Sequence, residues 1–199
     1  MASTLRTLTL LLAATLLSVG CNATVAQPPA TAAPATATPT TPAPSSAPPA
    51  APLPESLRPG SDELLVLKAS AAGTQNYECR ASGGGFAWAL VGPDAVLTDD
   101  AGKTIGRHYA GPTWESTDGS KVVAEVKARA DAPGGRSVPW LLLKAKTTSG
   151  TGVFSRVTSI QRTDTVGGVA PETGCDAQHA GARQASPYRA AYTFYATRP

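Results

Sequence analysis

The clearest pattern of hydrophobic and polar positions along this chain is an alternation over residues 121–129. Apolar side chains occupy one set of alternate positions: Val122, Ala124, Val126 and Ala128. Charged side chains occupy most of the other set, with Val123 as the apolar exception: Lys121, Glu125, Lys127 and Arg129. Because successive side chains of a strand point to opposite faces of its sheet, this period of two predicts a β-strand with one solvent-facing side.

Short apolar segments of strand length recur through the rest of the chain after residue 55. They lie at 63–69, 74–80, 86–91, 103–109, 140–145, 152–162 and 188–196. Glycine, proline and aspartate separate several of them, which predicts turns at 73, 83–85, 92–94, 99–102 and 131–135. No segment shows the 3.6-residue period of an amphipathic helix. The sequence therefore predicts an all-β fold, a single antiparallel β-sandwich or flattened barrel of about eight or nine strands.

The first 21 residues have the features of an export signal. The apolar run at 8–17 follows Arg6 and is shorter than the roughly 20 residues of a membrane-spanning helix. Small residues then lead to Cys21, and this segment resembles the lipobox of bacterial lipoproteins, although Ser18 stands where that motif prefers leucine. We therefore predict a signal peptide at 1–20 and a lipidated Cys21 that attaches the protein to a membrane of the cell envelope. Cleavage after Ala26 is the alternative, and it would release a secreted protein.

The segment after Cys21 has the composition of a spacer. Residues 27–54 contain 10 prolines, 9 alanines, 5 threonines and 2 serines, and no charged residue. Such a segment lacks the large apolar side chains that offset the entropy cost of ordering a chain. We predict a disordered linker at 21–54 and a single β-rich domain at 55–199.

Charge and cysteine content narrow the functional classes. The 17 basic and 14 acidic residues form no block of like charge, so nothing indicates nucleic-acid binding. With Cys21 assigned to the lipid, Cys79 and Cys175 remain. An even pair in an exported domain predicts one disulfide bond. No metal site and no cofactor are predicted.

Two groups of polar and aromatic residues are candidates for a site. The first surrounds the break at Gly111-Pro112: His108, Tyr109, Trp114, Glu115 and Asp118. An imidazole and a carboxylate can act as base and acid near neutral pH, and His108, Glu115 and Asp118 could instead hold a divalent cation. The alternative is a structural loop anchored by Trp114.

The second group lies on two predicted strands: Gln75, Asn76, Tyr77, Gln161 and Arg162. Amides, a guanidinium and nearby aromatic rings suit the binding of sugars or carboxylates. The alternative is that these residues satisfy buried backbone groups near the disulfide. Together with Tyr109 and Trp114 they form the predicted ligand-binding set.

Five motifs resemble a secreted domain of unknown function found in bacteria and fungi. They lie at 73–79, 106–115, 140–141, 160–175 and 192–195. The family has no established activity, so the resemblance implies none. Some fungal members carry a malate dehydrogenase label, but this sequence lacks the glycine-rich strand-to-helix fingerprint and the βαβ pattern of dinucleotide binding. A dinucleotide is therefore not a predicted partner.

These observations favour an envelope binding or structural module over an enzyme. Its predicted partner is a cell-wall glycan such as peptidoglycan, or an envelope protein. The alternative function is a small secreted hydrolase that uses His108 with Glu115 or Asp118.

Overall fold

The computed structural model describes residues 51–199, so the predicted signal peptide, the lipidated Cys21 and nearly all of the linker lie outside the described residues. Eight strands follow one another: β1 (Glu63–Ser82), β2 (Gly85–Thr98), β3 (Thr104–Tyr109), β4 (Thr113–Ser116), β5 (Lys121–Ala130), β6 (Trp140–Ser149), β7 (Ser159–Gly167) and β8 (Arg183–Thr197). Each strand pairs antiparallel with its neighbour in sequence, and β8 pairs with β1 to close a barrel. The predicted all-β fold is confirmed, in its barrel form. The described helical segments are two three-residue turns, Glu55–Leu57 and Ala177–His179, and neither could cross a membrane.

The barrel interior holds the main hydrophobic core. Its largest fully buried side chains include Trp114, Tyr192, Phe154 and Phe194. Alternate residues of each strand point inward, as Ala69 and Ala71 do on β1. The apolar run at the start of β1 leaves Leu64, Leu65 and Val66 all exposed, next to a bulge in the pairing of β1 with β8.

The wall of the barrel is incomplete on one side because β3 and β4 are short. The β3 strand pairs with β2 only along residues 94–98, and β4 pairs with β5 only along residues 121–123. The first part of β2 and the last part of β5 therefore have no strand partner on the sides that face the β3–β4 hairpin. We call the opening between these two edges, above the hairpin tip at Gly111 and Pro112, the side window.

A smaller hydrophobic cluster lies outside the barrel wall. Leu57, Trp140 and Leu142 are buried there together, and Leu53 packs against them. The Gln161 side chain fixes this segment because its Nε2 donates to the Leu57 carbonyl oxygen at 2.7 Å. Leu53, assigned to the linker from its composition, thus already contacts the barrel.

Three predicted boundaries differ from the strands that the structure forms, and all three predictions are wrong. Gly73 is no turn, since β1 runs through it and pairs it with Ala95 and Tyr188. The predicted turn at 92–94 lies inside β2, next to a bulge in its pairing with β1. Residues 152–158 are turns and coil rather than strand, and β7 begins at Ser159.

The predicted disulfide is confirmed. Cys79 and Cys175 are bonded, with their Cα atoms 5.3 Å apart. The bond ties the irregular segment before β8 to the outer part of β1. The same segment is held to β2 because the Trp88 indole N–H donates to the Thr173 carbonyl oxygen at 2.9 Å.

Candidate ligand-binding site

A cavity of about 250 Å³ lies inside the barrel behind the side window. Each of the eight strands contributes at least one residue to its lining. Its polar lining residues are Gln75, His108, Arg129 and Arg162, together with the Trp114 indole N–H and the Tyr192 hydroxyl, and no aspartate or glutamate lines it. Eight strands enclose an interior just wide enough either to be filled by side chains or to hold one small ligand. Here side chains fill most of the interior, and the cavity leaves space for one small molecule behind the side window.

His108 lies in the barrel interior, where it stacks on Trp114. The two ring centroids are 4.1 Å apart with planes 10° apart, and Tyr192 meets the His108 ring edge-on at 5.2 Å. The His108 Nδ1–H donates to the Thr113 carbonyl oxygen at 2.8 Å, which leaves Nε2 without a proton. Burial lowers the pKa of His108 to about 3, against the opposing effect of that carbonyl group. The ring is therefore neutral at physiological pH.

Arg162 and Gln75 are the other buried polar residues of the cavity, only 9% and 2% exposed. Arg162 Nε and Nη2 both donate to the Pro139 carbonyl oxygen, at 3.2 and 2.8 Å. Within residues 51–199, three buried side-chain nitrogens have no hydrogen-bond partner, and two of them, Gln75 Nε2 and Trp114 Nε1, belong to cavity residues. Both are N–H donors.

Glu115 lies on the opposite face of the wall from His108. Its Oε2 accepts a hydrogen bond from the Tyr109 hydroxyl at 2.9 Å and forms ion pairs with Arg107 and Lys121 at 3.4 and 3.7 Å. The hydrogen bond from Tyr109, aided by the charges of Lys121 and Arg107, lowers the pKa of Glu115. Tyr109 and Glu115 thus form part of an outer polar cluster.

Asp118 is a structural residue of the β4–β5 turn. Its Oδ1 accepts from the Ser120 backbone N–H and hydroxyl at 2.8 and 2.6 Å, and its Oδ2 accepts from the Val153 N–H at 2.9 Å. The Ser120 hydroxyl, followed by the Val153 N–H, lowers the pKa of Asp118 to about 2. The carboxylate therefore links the turn to the loop before β7.

The structure does not bring the predicted acid–base residues together. Neighbouring residues of a strand alternate between faces, so Trp114 points inward with His108 while Glu115 points outward. The hydrolase hypothesis required His108 and a carboxylate to converge in an open pocket, and they do not. Within the part of the chain that the structure describes, no three His, Cys, Asp or Glu side chains are arranged to hold a metal ion.

The residues of the second predicted group are also separated in the structure, and only some of them reach the cavity. Gln75 and Arg162 line the cavity, whereas Gln161 binds the Leu57 carbonyl oxygen at the small hydrophobic cluster outside the wall. The Tyr77 hydroxyl donates to the Gly168 carbonyl oxygen at 2.7 Å and so holds the segment after β7. Asn76 makes a local hydrogen bond with the Thr74 hydroxyl. The cavity therefore combines two residues of this group with His108 and Trp114 of the first.

Sequence reasoning missed three features of the site. Arg129 was assigned to the wet face of β5, but a bulge between Val126 and Ala128 shifts the register and places Arg129 at the window. Tyr192 lines the cavity but is absent from the predicted site residues. The alternation places Val126 on the covered face of β5, yet Val126 is 53% exposed at the window, beside Leu90 at 56%. Strand alternation carries no signal for a bulge or for a gap in the wall.

Comparison with known proteins gives one match. Residues 59–196 match the family described as Protein of unknown function (DUF3455). No curated protein and no solved structure shows significant similarity to the chain. The family match covers more than half of the chain and includes all five motifs noted above. This chain therefore belongs to the DUF3455 family, whose domain here is the eight-stranded barrel.

Proposed function

We propose that this protein is a ligand-binding module of the cell envelope that takes a small, largely apolar molecule into its barrel. One observation carries the proposal: a cavity of about 250 Å³ opens through the side window, and two of its lining residues, Gln75 and Trp114, have buried N–H donors that lack a hydrogen-bond partner among the described residues. Buried polar groups normally have a hydrogen-bond partner. A ligand in the cavity would supply the acceptor.

The size of the cavity limits the ligand. An engineered cavity of about 150 Å³ holds benzene, which has six non-hydrogen atoms. By proportion, this cavity holds a molecule of about ten non-hydrogen atoms. Leu141 and Leu143 provide apolar walls for such a molecule.

The arrangement supports a cavity ligand better than a glycan on the surface. Sugar binding uses exposed flat aromatic faces, but Trp114 is fully buried and Tyr77 nearly so. A cell-wall glycan or an envelope protein remains a predicted partner for the outer surface. The sequence signals for export and for lipidation at Cys21 support the envelope location.

The test uses octan-1-ol, a neutral probe of suitable size, with the purified full-length chain. Nuclear magnetic resonance should show a shift of the Trp114 indole signal, and calorimetric titration should give the affinity. Leu90→Trp and Val126→Trp each place a large ring at the window and should weaken binding by about tenfold or more.

Val166→Trp is the matched control, because Val166 is 63% exposed and does not line the cavity. This variant should bind octan-1-ol as the unmodified chain does. Undetectable binding to the unmodified chain, or equal weakening by all three variants, would show the proposal to be wrong.

A further inference from the structure

Arg162 presents a buried positive charge that no carboxylate of the described residues neutralises. It is 9% exposed, and among residues 51–199 it forms no ion pair within 4 Å. A guanidinium carries five N–H donors, and two of them share the one oxygen of Pro139. A further contact, with the Tyr192 hydroxyl, opposes the rise in the pKa of that group, but both of these partners are uncharged. Burying a charge is costly unless it is paired and hydrogen-bonded. The site is thus electrostatically incomplete.

The groups around Arg162 do not supply the missing negative charge. Its charge opposes the rise that burial causes in the pKa of Tyr77 and Tyr192, and it adds to the lowering of the pKa of His108. These three side chains are all neutral at physiological pH. The other titratable residue in the lining, Arg129, is also positive.

Two further lining residues add N–H donors, whereas the unprotonated Nε2 of His108 is an acceptor. Gln75 Nε2 and Trp114 Nε1 are buried donors without an acceptor. Arg162, Gln75 and Trp114 therefore give the lining N–H groups and positive charge. The rim at the window is apolar, with Leu90, Val91 and Val126 all exposed.

We infer that the ligand is a small amphipathic monocarboxylate whose head group pairs with Arg162 and Gln75 and whose apolar body extends toward the side window. A carboxylate suits the planar, forked donor set of a guanidinium. An aliphatic acid of about eight carbons fits the volume derived above. This inference rests on the proposed function and specifies the class of ligand.

The test compares three eight-carbon probes that differ only in the head group: octanoate, octan-1-ol and octylamine. Titration into the purified full-length chain at neutral pH should give an affinity for octanoate at least about tenfold above that for octan-1-ol, since a hydrogen bond between charged groups is stronger than one to a neutral hydroxyl. Octylamine, which is a cation at this pH, should bind more weakly than octan-1-ol.

Two variants assign the effect to residues. Arg162→Met should weaken octanoate binding by about tenfold to a hundredfold and leave octan-1-ol binding within about twofold. Arg189→Met is the matched control, because Arg189 is an exposed residue of β8 outside the cavity and its loss changes the net charge equally. It should leave both affinities unchanged.

Gln75→Leu keeps the test decisive if Arg162→Met does not fold, because Arg162 also holds the Pro139 carbonyl group. Gln75 Nε2 has no hydrogen-bond partner within 3.5 Å, and its one longer polar contact, which opposes the rise in the pKa of Tyr188, is with a neutral hydroxyl. The variant should therefore fold and should lose octanoate affinity selectively. Equal binding of octanoate and octan-1-ol to the unmodified chain, or full octanoate affinity in Gln75→Leu and in folded Arg162→Met, overturns the inference. Failure of both probes to bind overturns the proposed function instead.

Discussion

At the scale of single residues, burial changes the chemistry that residue type alone indicates. His108 has the side chain best suited to proton transfer near neutral pH, yet inside the barrel it is held neutral by desolvation. Its Nδ1–H is committed to the Thr113 carbonyl oxygen and its ring to Trp114. In this fold His108 shapes the cavity rather than exchanging protons.

This burial predicts a specific dependence of stability on pH. The folded-state pKa of His108, about 3, lies below the value of about 6.5 in an unfolded chain. The unfolded state therefore binds more protons between these values, and stability that is fully present above about pH 6.5 is lost as the pH falls toward 3. Between pH 7 and pH 4 the loss from this group is on the order of 3 kcal/mol.

Urea denaturation at several pH values measures this loss. His108→Phe retains a ring against Trp114 and removes the titration, so its free energy of unfolding should fall less between pH 7 and pH 4. His179→Gln is the control, because His179 is exposed and its replacement leaves His108 in place. Equal pH dependence in His108→Phe and in the unmodified chain would contradict the prediction.

At the scale of strands, close backbone contact decides which residues are allowed. A Cβ atom at Gly73 would collide with the carbonyl oxygen of Asp94 and with the Cα atom of Ala95 on β2. Backbone atoms of a paired strand cannot move aside as the end of a flexible side chain can. This contact explains why a glycine lies inside β1, where residue type suggested a turn.

Gly73→Ala should therefore destabilise the barrel by about 1–3 kcal/mol or more, as overpacking does in a filled core. Gly85→Ala is the matched control, because the nearest atom to its added Cβ, the Ser82 carbonyl oxygen, is 3.9 Å away. Chemical denaturation of the two variants measures the difference. Equal stability would contradict the predicted contact.

The Asp118 turn gives a second prediction at this scale. Asp118→Ala removes the acceptor of the Ser120 and Val153 N–H groups and should cost about 1–3 kcal/mol of unfolding free energy. Asp100→Ala, in the exposed turn after β2, should cost less. Hydrogen exchange should locate the loosening at the loop before β7, and unchanged protection there would contradict the role assigned to Asp118.

At the scale of the whole molecule, the disulfide holds a segment that the core does not. Few apolar residues lie between Pro171 and Pro187, and most of that segment is exposed. Its links to the barrel include the Cys79–Cys175 bond, 96 residues apart in sequence, and the Trp88 hydrogen bond. Closing a loop of this length limits the freedom of the unfolded chain.

Replacing Cys79 and Cys175 with alanine should cost about 2–4 kcal/mol. Each kcal/mol lowers the Tm of a domain of this size by about 2–6 °C. Calorimetry on the double variant measures the change, and Cys21→Ser is the control because Cys21 lies outside the barrel domain in sequence. An unchanged Tm in the double variant would contradict the prediction.

The sequence by itself determined the features that rest on local patterns. The alternation at 121–129 predicts β5, the glycines at 83–85 predict the β1–β2 hairpin, and the even cysteine pair predicts the disulfide. These inferences succeed because strand pleat, turn conformation and thiol oxidation in an exported chain depend on residue type and spacing.

The tertiary structure alone decided the site. Whether His108 shares the interior with Glu115 or with Arg162 depends on the face that each residue occupies and on where the barrel closes. Neither property can be read from a local sequence pattern. The bulge that moves Arg129 to the window and the short β3–β4 hairpin that opens it arise from pairing between strands. Because the cavity takes residues from all eight strands, it exists only once the barrel has closed.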